Sequence, residues 1–249
     1  FSSIKKTISY LEQQKIAKNS IGFVPTMGAL HEGHLALMRR AKEENDLLVV
    51  SVFVNPVQFN NVEDLKRYPR TPEEDRQKLE NVRCDVLFAP EADEMYPETV
   101  TKQYDFGPLD KLMEGAFRPG HFNGVAVVVK KLLDIINPDR AYFGEKDFQQ
   151  LAIIKKLVAM EKIPVEIVPC PIVREPDGLA MSSRNRLLSS DERKIAPVIY
   201  QTLLEAKRRR DHICANLLRQ MMINIFEGNK HLKLEYFDIV DDKTLRPVN

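Results

Sequence analysis

His31 and His34 stand three residues apart in Pro25-Thr26-Met27-Gly28-Ala29-Leu30-His31-Glu32-Gly33-His34-Leu35. A short apolar run, Ile21-Gly22-Phe23-Val24, precedes the stretch, and a helical pattern from Leu35 to Asn45 follows it. A strand ends, a glycine-bearing turn follows, and a helix opens on His-Glu-Gly-His. Two chemistries suit such a place. Histidines at i and i+3 share one side of a helix, and zinc sites use such pairs, but zinc wants three or four ligands. The remaining histidines are His121, His212 and His231, no cysteine pair helps, and Glu32 points elsewhere on the helix. No metal site is assigned. A helix N-terminus, by contrast, offers free N–H groups and about half a positive charge, so it receives anions. Histidines there can donate N–H bonds to phosphate oxygens, and Gly33 leaves room for a base or ribose against the backbone.

Three further polar stretches follow apolar runs. Asn55-Pro56-Val57-Gln58-Phe59 comes after Leu47–Val54. Gly144-Glu145-Lys146-Asp147-Phe148-Gln149-Gln150 comes after Arg140–Gly144, and Met181-Ser182-Ser183-Arg184-Asn185 lies past Val173. Lys146 reads either as a surface lysine paired with Glu145 or Asp147, an arrangement worth little, or as a point cation for phosphate. Ser182, Ser183 and Arg184 read as a linker turn or as a mobile loop closing over a triphosphate. Gln58, Gln150 and Asn55 are ordinary amides, or they hold a small polar acid without adding charge. His121, in Arg118-Pro119-Gly120-His121-Phe122, caps the following helix or belongs to the site. Neither the GxGxxG fingerprint nor the GxxxxGK[ST] loop occurs. From the residues alone the chain reads as a nucleotide-using transferase.

The elements that must position these residues alternate. The patterns predict helices over 7–18, 31–45, 121–137 and 147–160, and one starting at Thr71-Pro72-Glu73-Glu74, where a cap, a first-turn proline and acids coincide. The helix over 7–18 is amphipathic, with Ile8, Leu11 and Ile16 apolar. Strands are predicted over 21–24, 47–54, 85–89, 140–144 and 165–170. Leu47–Val54 is apolar on both faces, as in a parallel sheet covered on both sides. Strand–helix alternation is the mark of an α/β, Rossmann-like, doubly wound parallel sheet, which binds ligands beyond the carboxyl ends of its strands where strand order reverses. Helices over 190–208 and 215–226 and a half-buried strand over 232–240 suggest a smaller α+β domain. The expected division is 1–174 for nucleotide and acid and 175–249 for a C-terminal lid.

The chain has 249 residues, 43% of them hydrophobic, and a formal charge of +1. Near-neutrality argues against a polybasic nucleic-acid surface, and the run Lys207-Arg208-Arg209-Arg210 reads as a solvated helix end. Three separated cysteines, Cys84, Cys170 and Cys214, fit a reducing cytosol. No apolar run approaches the roughly 20 residues that cross a bilayer, and the first residues lack a signal-peptide stretch. A soluble cytoplasmic protein, bound to neither membrane nor nucleic acid, is expected.

PTMGALHEGHL, SVFVNPVQF, EGAFRPGHFNGV, RAYFGEKDFQQL and MSSRN, in this order, resemble the pantoate–β-alanine ligase family, closely over about residues 20 to 190. The first and last are similar to the HIGH and KMSKS signatures of the wider nucleotidyltransferase superfamily, with Ser-Ser-Arg in place of Lys-Ser-Lys. The resemblance implies condensation of D-pantoate with β-alanine, ATP being split to AMP and pyrophosphate with Mg2+ bound to the phosphates, through pantoyl adenylate. It implies that Met27, Gly28, Ala29, Leu30, His31, Glu32, Gly33 and His34 cradle ATP. His31 and His34 would contact phosphate, His34 as an acid or as a charge-stabilising donor. Gly144, Glu145, Lys146 and Asp147, with Ser182, Ser183 and Arg184, would complete the nucleotide site beside Val173 and Met181. Gln58 and Gln150 would bind pantoate, Gln58 also bordering β-alanine. The resemblance further implies a homodimer and a small domain that usually continues past residue 249. Two rivals are an adenylyltransferase that leaves AMP on its product, which the amides of Gln58 and Gln150 disfavour, and a nucleotide-binding regulator or RNA-binding synthetase relative, which the near-neutral charge disfavours.

Overall fold

The computed structural model describes residues 1–248. In chain order the elements are α1 (Ile4–Ile16), β1 (Ile21–Thr26), α2 (Glu32–Glu44), β2 (Leu47–Val52), α3 (Val62–Arg67), α4 (Pro72–Asn81), β3 (Val86–Phe88), α5 (Ala92–Met95), α6 (Glu114–Phe117), α7 (His121–Ile136), β4 (Arg140–Gly144), α8 (Phe148–Glu161), β5 (Glu166–Cys170), α9 (Ser190–Ile195), α10 (Val198–Arg209) and α11 (Ala215–Glu227). Short 3-10 turns at Pro56–Gln58, Glu145–Asp147 and Ser183–Leu187 carry three of the polar stretches.

The five strands form one parallel sheet in the order β3-β2-β1-β4-β5. Alternation along each strand sends side chains to two cores. Ile21, Phe23, Val49, Phe88, Ala141 and Phe143 meet α1, α7 and α8 on one face. Val24, Leu48, Val50 and Tyr142 meet α2 and α4 on the other. Both faces are covered, which explains why β2 carries no polar side. Strand order reverses between β1 and β4, so the crevice lies where His-Glu-Gly-His follows β1 and Gly144–Asp147 follows β4.

Three expectations change. Helix α1 starts and ends earlier than its pattern predicts, because the Ile4 N–H finds Glu94 (2.7 Å), and Ile16 stays 82% exposed. The single helix expected over 190–208 is two: Pro197 interrupts it, and a Ser189–Glu192 capping box starts α9. The strand expected over 232–240 has no ladder partner among the described residues. One antiparallel bridge joins Val240 to Pro247, and the segment is held by rings, Tyr236 on Phe117 and Phe237 near Phe226. Alternation buries a face, but a strand also needs a neighbour's N–H and C=O groups. The short helices α3, α5 and α6 escape the pattern because four to six residues span too little of a period.

One close approach links fold to site. A Cβ built on Gly124 of α7 would lie 2.5 Å from the Val57 carbonyl and 2.7 Å from Gln58 Cα. Gly124→Ala should therefore push the Pro56–Gln58 turn off α7 and destabilise the protein by about 1–3 kcal/mol, the usual range for overpacking. Urea denaturation checks this, and a midpoint unchanged from wild type would contradict it.

Candidate active site

The β1–α2 turn is built on strain that one carboxylate offsets. Gly28 (φ 77°) and Ala29 (φ 48°) are both left-handed, a region alanine rarely enters. Asp75 of α4, 4% exposed, accepts the Ala29 N–H (2.8 Å) on one carboxylate oxygen and the Leu30 N–H (2.7 Å) on the other. Thr71 donates its hydroxyl to the same carboxylate (3.1 Å). Lys78, one turn on, donates to the Leu30 carbonyl (2.8 Å), and Ser183 donates to the Ala29 carbonyl (3.1 Å). Helix α4 and the Ser-Ser-Arg loop thus hold the same turn.

His31 stands at the N-cap of α2, and its backbone N–H donates to Nδ1 of His34 (3.3 Å). A nitrogen that accepts carries no hydrogen, so the neutral His34 ring has its hydrogen on Nε2. The two rings lie 3.9 Å apart, tilted by 30°. Burial, then the charges of His31, Lys146 and Lys78, push His34 down to about 3. Burial, then Lys146, Lys78 and Arg186, push His31 down to about 4, against a smaller opposing effect of Asp147. Both rings are neutral at pH 7. The positive charge of the site sits on lysine and arginine, and the histidines are uncharged donors.

Those cations are held by carboxylates that are partly exposed. Lys146 pairs with Asp147 (3.2 Å), Arg184 with Asp64 (3.0 Å) and Arg186 with Glu74 (2.9 Å). Arg184 also lies over the Tyr68 ring at 5.4 Å. Exposed pairs of this kind are worth about 0–1 kcal/mol, so these cations separate from their partners at little cost.

The other half of the cavity is made of amides. Asn55, 1% exposed, donates to Gln58 Oε1 (3.1 Å) and to the Gly124 carbonyl (3.2 Å), and accepts from Tyr96 (2.9 Å). Gln58 donates to the Met27 sulfur (3.1 Å). His121, the first residue of α7, caps nothing: its Nδ1 lies 2.8 Å from the Gln58 carbonyl, and burial lowers its pKa. Of the two adjacent glutamines on α8, Gln150 faces the cavity. Gln149 is buried and ties the preceding loop through the Leu109 and Leu112 carbonyls (2.7 and 2.8 Å) and the Glu114 N–H (3.1 Å).

One cavity is lined by Met27, His31, Gly33, His34, Asn55, Gln58, His121, Gly144, Lys146, Asp147, Gln150, Val173, Met181, Ser182, Ser183 and Arg184. Five expected residues do not line it. Gly28, Ala29 and Leu30 are buried and shape the turn with their backbone. Glu32 points outward to Arg39, and Glu145 is exposed. The space a Gly33 side chain would need is already taken by the His31 ring, 2.9 Å away, so this glycine serves the histidine pair before any base or ribose.

Residues 1–249 match the family model described as pantoate-beta-alanine ligase. The chain belongs to this family. It is 50% identical over 247 residues to the pantothenate synthetase of Bacteroides thetaiotaomicron, covering 99% of this chain and 88% of that one. It is 51% identical over 244 residues to that of Christiangramia forsetii, covering 97% and 86%. A solved pantothenate synthetase of Thermus thermophilus superposes with a TM-score of 0.93 at 45% identity, covering 100% of this chain and 89% of that one. A pantoate-beta-alanine ligase from Francisella tularensis, solved with beta-gamma ATP and beta-alanine, superposes with a TM-score of 0.81 at 41% identity over 91% and 85% of the two chains.

For a ligase of this family the sequence motifs leave out Asp75, Lys78 and Arg186. Their signals are visible but mute: Asp75 sits in an acidic first turn that any helix welcomes, and Lys78 and Arg186 belong to no motif. Tyr68 and Arg118 line the cavity without having been singled out.

The braced turn and the buried histidines each have a measurable consequence. Asp75→Ala leaves the Ala29 and Leu30 amides unpaired in a buried turn, at about 1–3 kcal/mol for each. Chemical denaturation should show a loss in that range, and a stability within error of wild type would contradict the bracing role. His31 and His34 titrate near 6.5 when unfolded and near 4 and 3 when folded. The unfolded chain therefore binds more protons between about pH 6.5 and 3, and stability falls as pH falls through that window. His34→Gln should flatten the fall, measured as denaturation midpoint against pH; an identical slope in the variant would contradict the lowered pKa.

Proposed function

We propose that ATP-dependent ligation of pantoate to β-alanine proceeds in this cavity in two steps. In the first, a pantoate carboxylate oxygen attacks the α-phosphorus of ATP, pyrophosphate leaves, and pantoyl adenylate forms. In the second, the amine of β-alanine attacks the acyl carbon, and AMP leaves with the electron pair of the acyl–oxygen bond. A carboxylate is a poor electrophile, and adenylation supplies it with a good leaving group. The protein has to align the reactants and stabilise charge building on phosphate oxygens.

The observation that carries the reading is the neutral His34 at the mouth of α2, with its Nε2 hydrogen fixed by the His31 amide and the amide-lined pocket beside it. Triphosphate lies against the α2 N-terminus, His31 and His34, with Lys146 and Arg184 exchanging their carboxylate partners for phosphate oxygens. Ser182 and Ser183 bring their loop over the nucleotide, Ser183 already anchored to Ala29. Val173 and Met181 flank base and ribose. Gln58, Gln150 and Asn55 hold pantoate through hydrogen bonds, so its single carboxylate charge stays free to react. His34 acts as a charge-stabilising donor, because a ring with a pKa near 3 has no second proton to give at neutral pH.

Mg2+ fits this site as a companion of the phosphates. Among the described residues no group of three or more His, Cys, Asp or Glu side chains could hold a metal ion, and Asp147 is the one carboxylate on the cavity wall. Magnesium is commonly held by one or two carboxylates plus substrate phosphates, so Asp147 is the residue to share it. Bound there, it would neutralise charge on the phosphate oxygens.

The same reading assigns residues 1–174 to nucleotide and pantoate binding and 175–249 to a lid whose Ser183 and Arg184 reach Ala29 and Asp64. A homodimer acting in the cytoplasm completes it, by resemblance to the family. Among the described residues no helix is long and apolar enough to cross a membrane.

His34→Ala should lower the rate of pantoyl adenylate formation by about 10²–10³, as for loss of one charge-stabilising donor, with folding intact. Rapid-quench measurement of the first turnover reads this directly, and Lys146→Ala should behave similarly. Exchange of pyrophosphate into ATP should require pantoate; exchange without pantoate would contradict the function. AMP released only when β-alanine is present, beyond the first enzyme-bound turnover, separates the ligase from an adenylyltransferase that leaves AMP on its product.

A further inference from the structure

A second cavity adjoins the first and shares Arg118, His121, Lys146, Asp147 and Gln150 with it, while Glu114, Phe148 and Tyr236 form its outer wall. His121 stands at the junction. Its Nδ1 lies 2.8 Å from the Gln58 carbonyl. A carbonyl oxygen only accepts, so Nδ1 must carry the hydrogen, and in the neutral ring Nε2 keeps a free lone pair. This tautomer is the reverse of that of His34, whose Nδ1 accepts. Of His34 and His121, both neutral, one is set to donate toward the nucleotide and the other to accept.

The ligation leaves a place for an acceptor. β-Alanine arrives as an ammonium, which has no lone pair to attack with, so the second step needs a proton acceptor beside the acyl carbon. We propose that β-alanine enters through the second cavity and surrenders its ammonium proton to Nε2 of His121. The freed amine forms the C–N bond to the acyl carbon of pantoyl adenylate, and the acyl–oxygen bond breaks toward AMP. A second proton leaves the adduct nitrogen to water. The approach suits the arrangement, since the proposed nucleotide position is on the α2 side, and the second cavity reaches Gln150 and His121 from the other.

The surroundings suit a zwitterion. Glu114 and Arg118 face each other across the cavity wall as an ion pair (3.2 Å), and Lys146 and Asp147 form another (3.2 Å). The charged groups that act on His121 are Arg118, which opposes its protonation, and Glu114 and Asp147, which favour it; burial outweighs them and keeps the ring neutral before substrate arrives. A neutral imidazole with an unshared pair on Nε2 is a competent proton acceptor at physiological pH.

The inference rests on the two-step reading above, and the test separates the two. His121→Asn keeps an N–H to offer the Gln58 carbonyl and removes the accepting nitrogen. Preformed enzyme-bound pantoyl adenylate is mixed with β-alanine in single-turnover experiments across a pH series, and the same enzyme is assayed for pantoate-dependent pyrophosphate exchange. The expected result is a loss of about 10²–10⁴ in aminolysis, exceeding any loss in exchange by at least about tenfold. With hydroxylamine, an amine largely unprotonated at neutral pH, most of the deficit should vanish, because no proton acceptor is then required. Equal losses in exchange and aminolysis, or a deficit as large with hydroxylamine as with β-alanine, would overturn the proposal. Absence of pantoate-dependent exchange in the wild type would instead defeat the two-step reading itself.

Discussion

A single carboxylate inside a turn sets the rest of the site. Asp75 holds two successive amides in a conformation that Gly28 tolerates and Ala29 resists. That grip fixes where β1 ends and α2 begins, and so where the free amides and the positive end of α2 point. Lys78 and Ser183 use the two carbonyls of the same turn, so α4 and the Ser-Ser-Arg loop are referenced to it. The parallel sheet places the turn at the reversal of strand order, but it is the buried carboxylate that fixes its two amides and so the orientation the proposed phosphate site depends on. Electrostatic stabilisation needs donors that are already in place, because a donor that must reorganise loses much of its effect.

The histidines extend this logic. Burial and neighbouring cations keep both His31 and His34 uncharged. An imidazolium beside Lys146 and Lys78 would repel them. A neutral ring donates one directed hydrogen bond without that repulsion. In the proposed reaction the labour divides: lysine and arginine side chains, paired in the free protein with partly exposed carboxylates, bring charge, and the buried histidines bring direction. In the proposed reaction the amide cluster of Asn55, Gln58 and Gln150 has the corresponding task for the acid, holding it without neutralising the carboxylate that must attack.

Much of this was legible in the chain. Strand–helix alternation gives the α/β sheet, and polar residues after each strand give the face where ligands bind. The motifs name sixteen residues that line one cavity. Legibility fails where effect depends on distance in space. Asp75 looks like an ordinary helix-start acid, and only the fold shows its oxygens on the amides of residues 46 and 45 positions earlier. Lys78 and Arg186 act on His31 from other elements. Gly33 reads as room for a ligand but is room for a neighbouring ring. Near the C-terminal end, alternation over 232–240 suggests a strand, whereas pairing, which no single segment can display, decides otherwise. The tautomers of His34 and His121 are likewise invisible until their partners are known.

The central claim is that His34 is a neutral donor through Nε2 and remains so when nucleotide binds. Nitrogen-15 NMR of the histidine ring, assigned by comparison with a His34 variant and recorded at neutral pH with and without ATP and pantoate, tests it most directly. The account predicts one protonated and one bare ring nitrogen in both states, with the hydrogen on Nε2. An imidazolium with both nitrogens protonated, or a hydrogen on Nδ1, would contradict it.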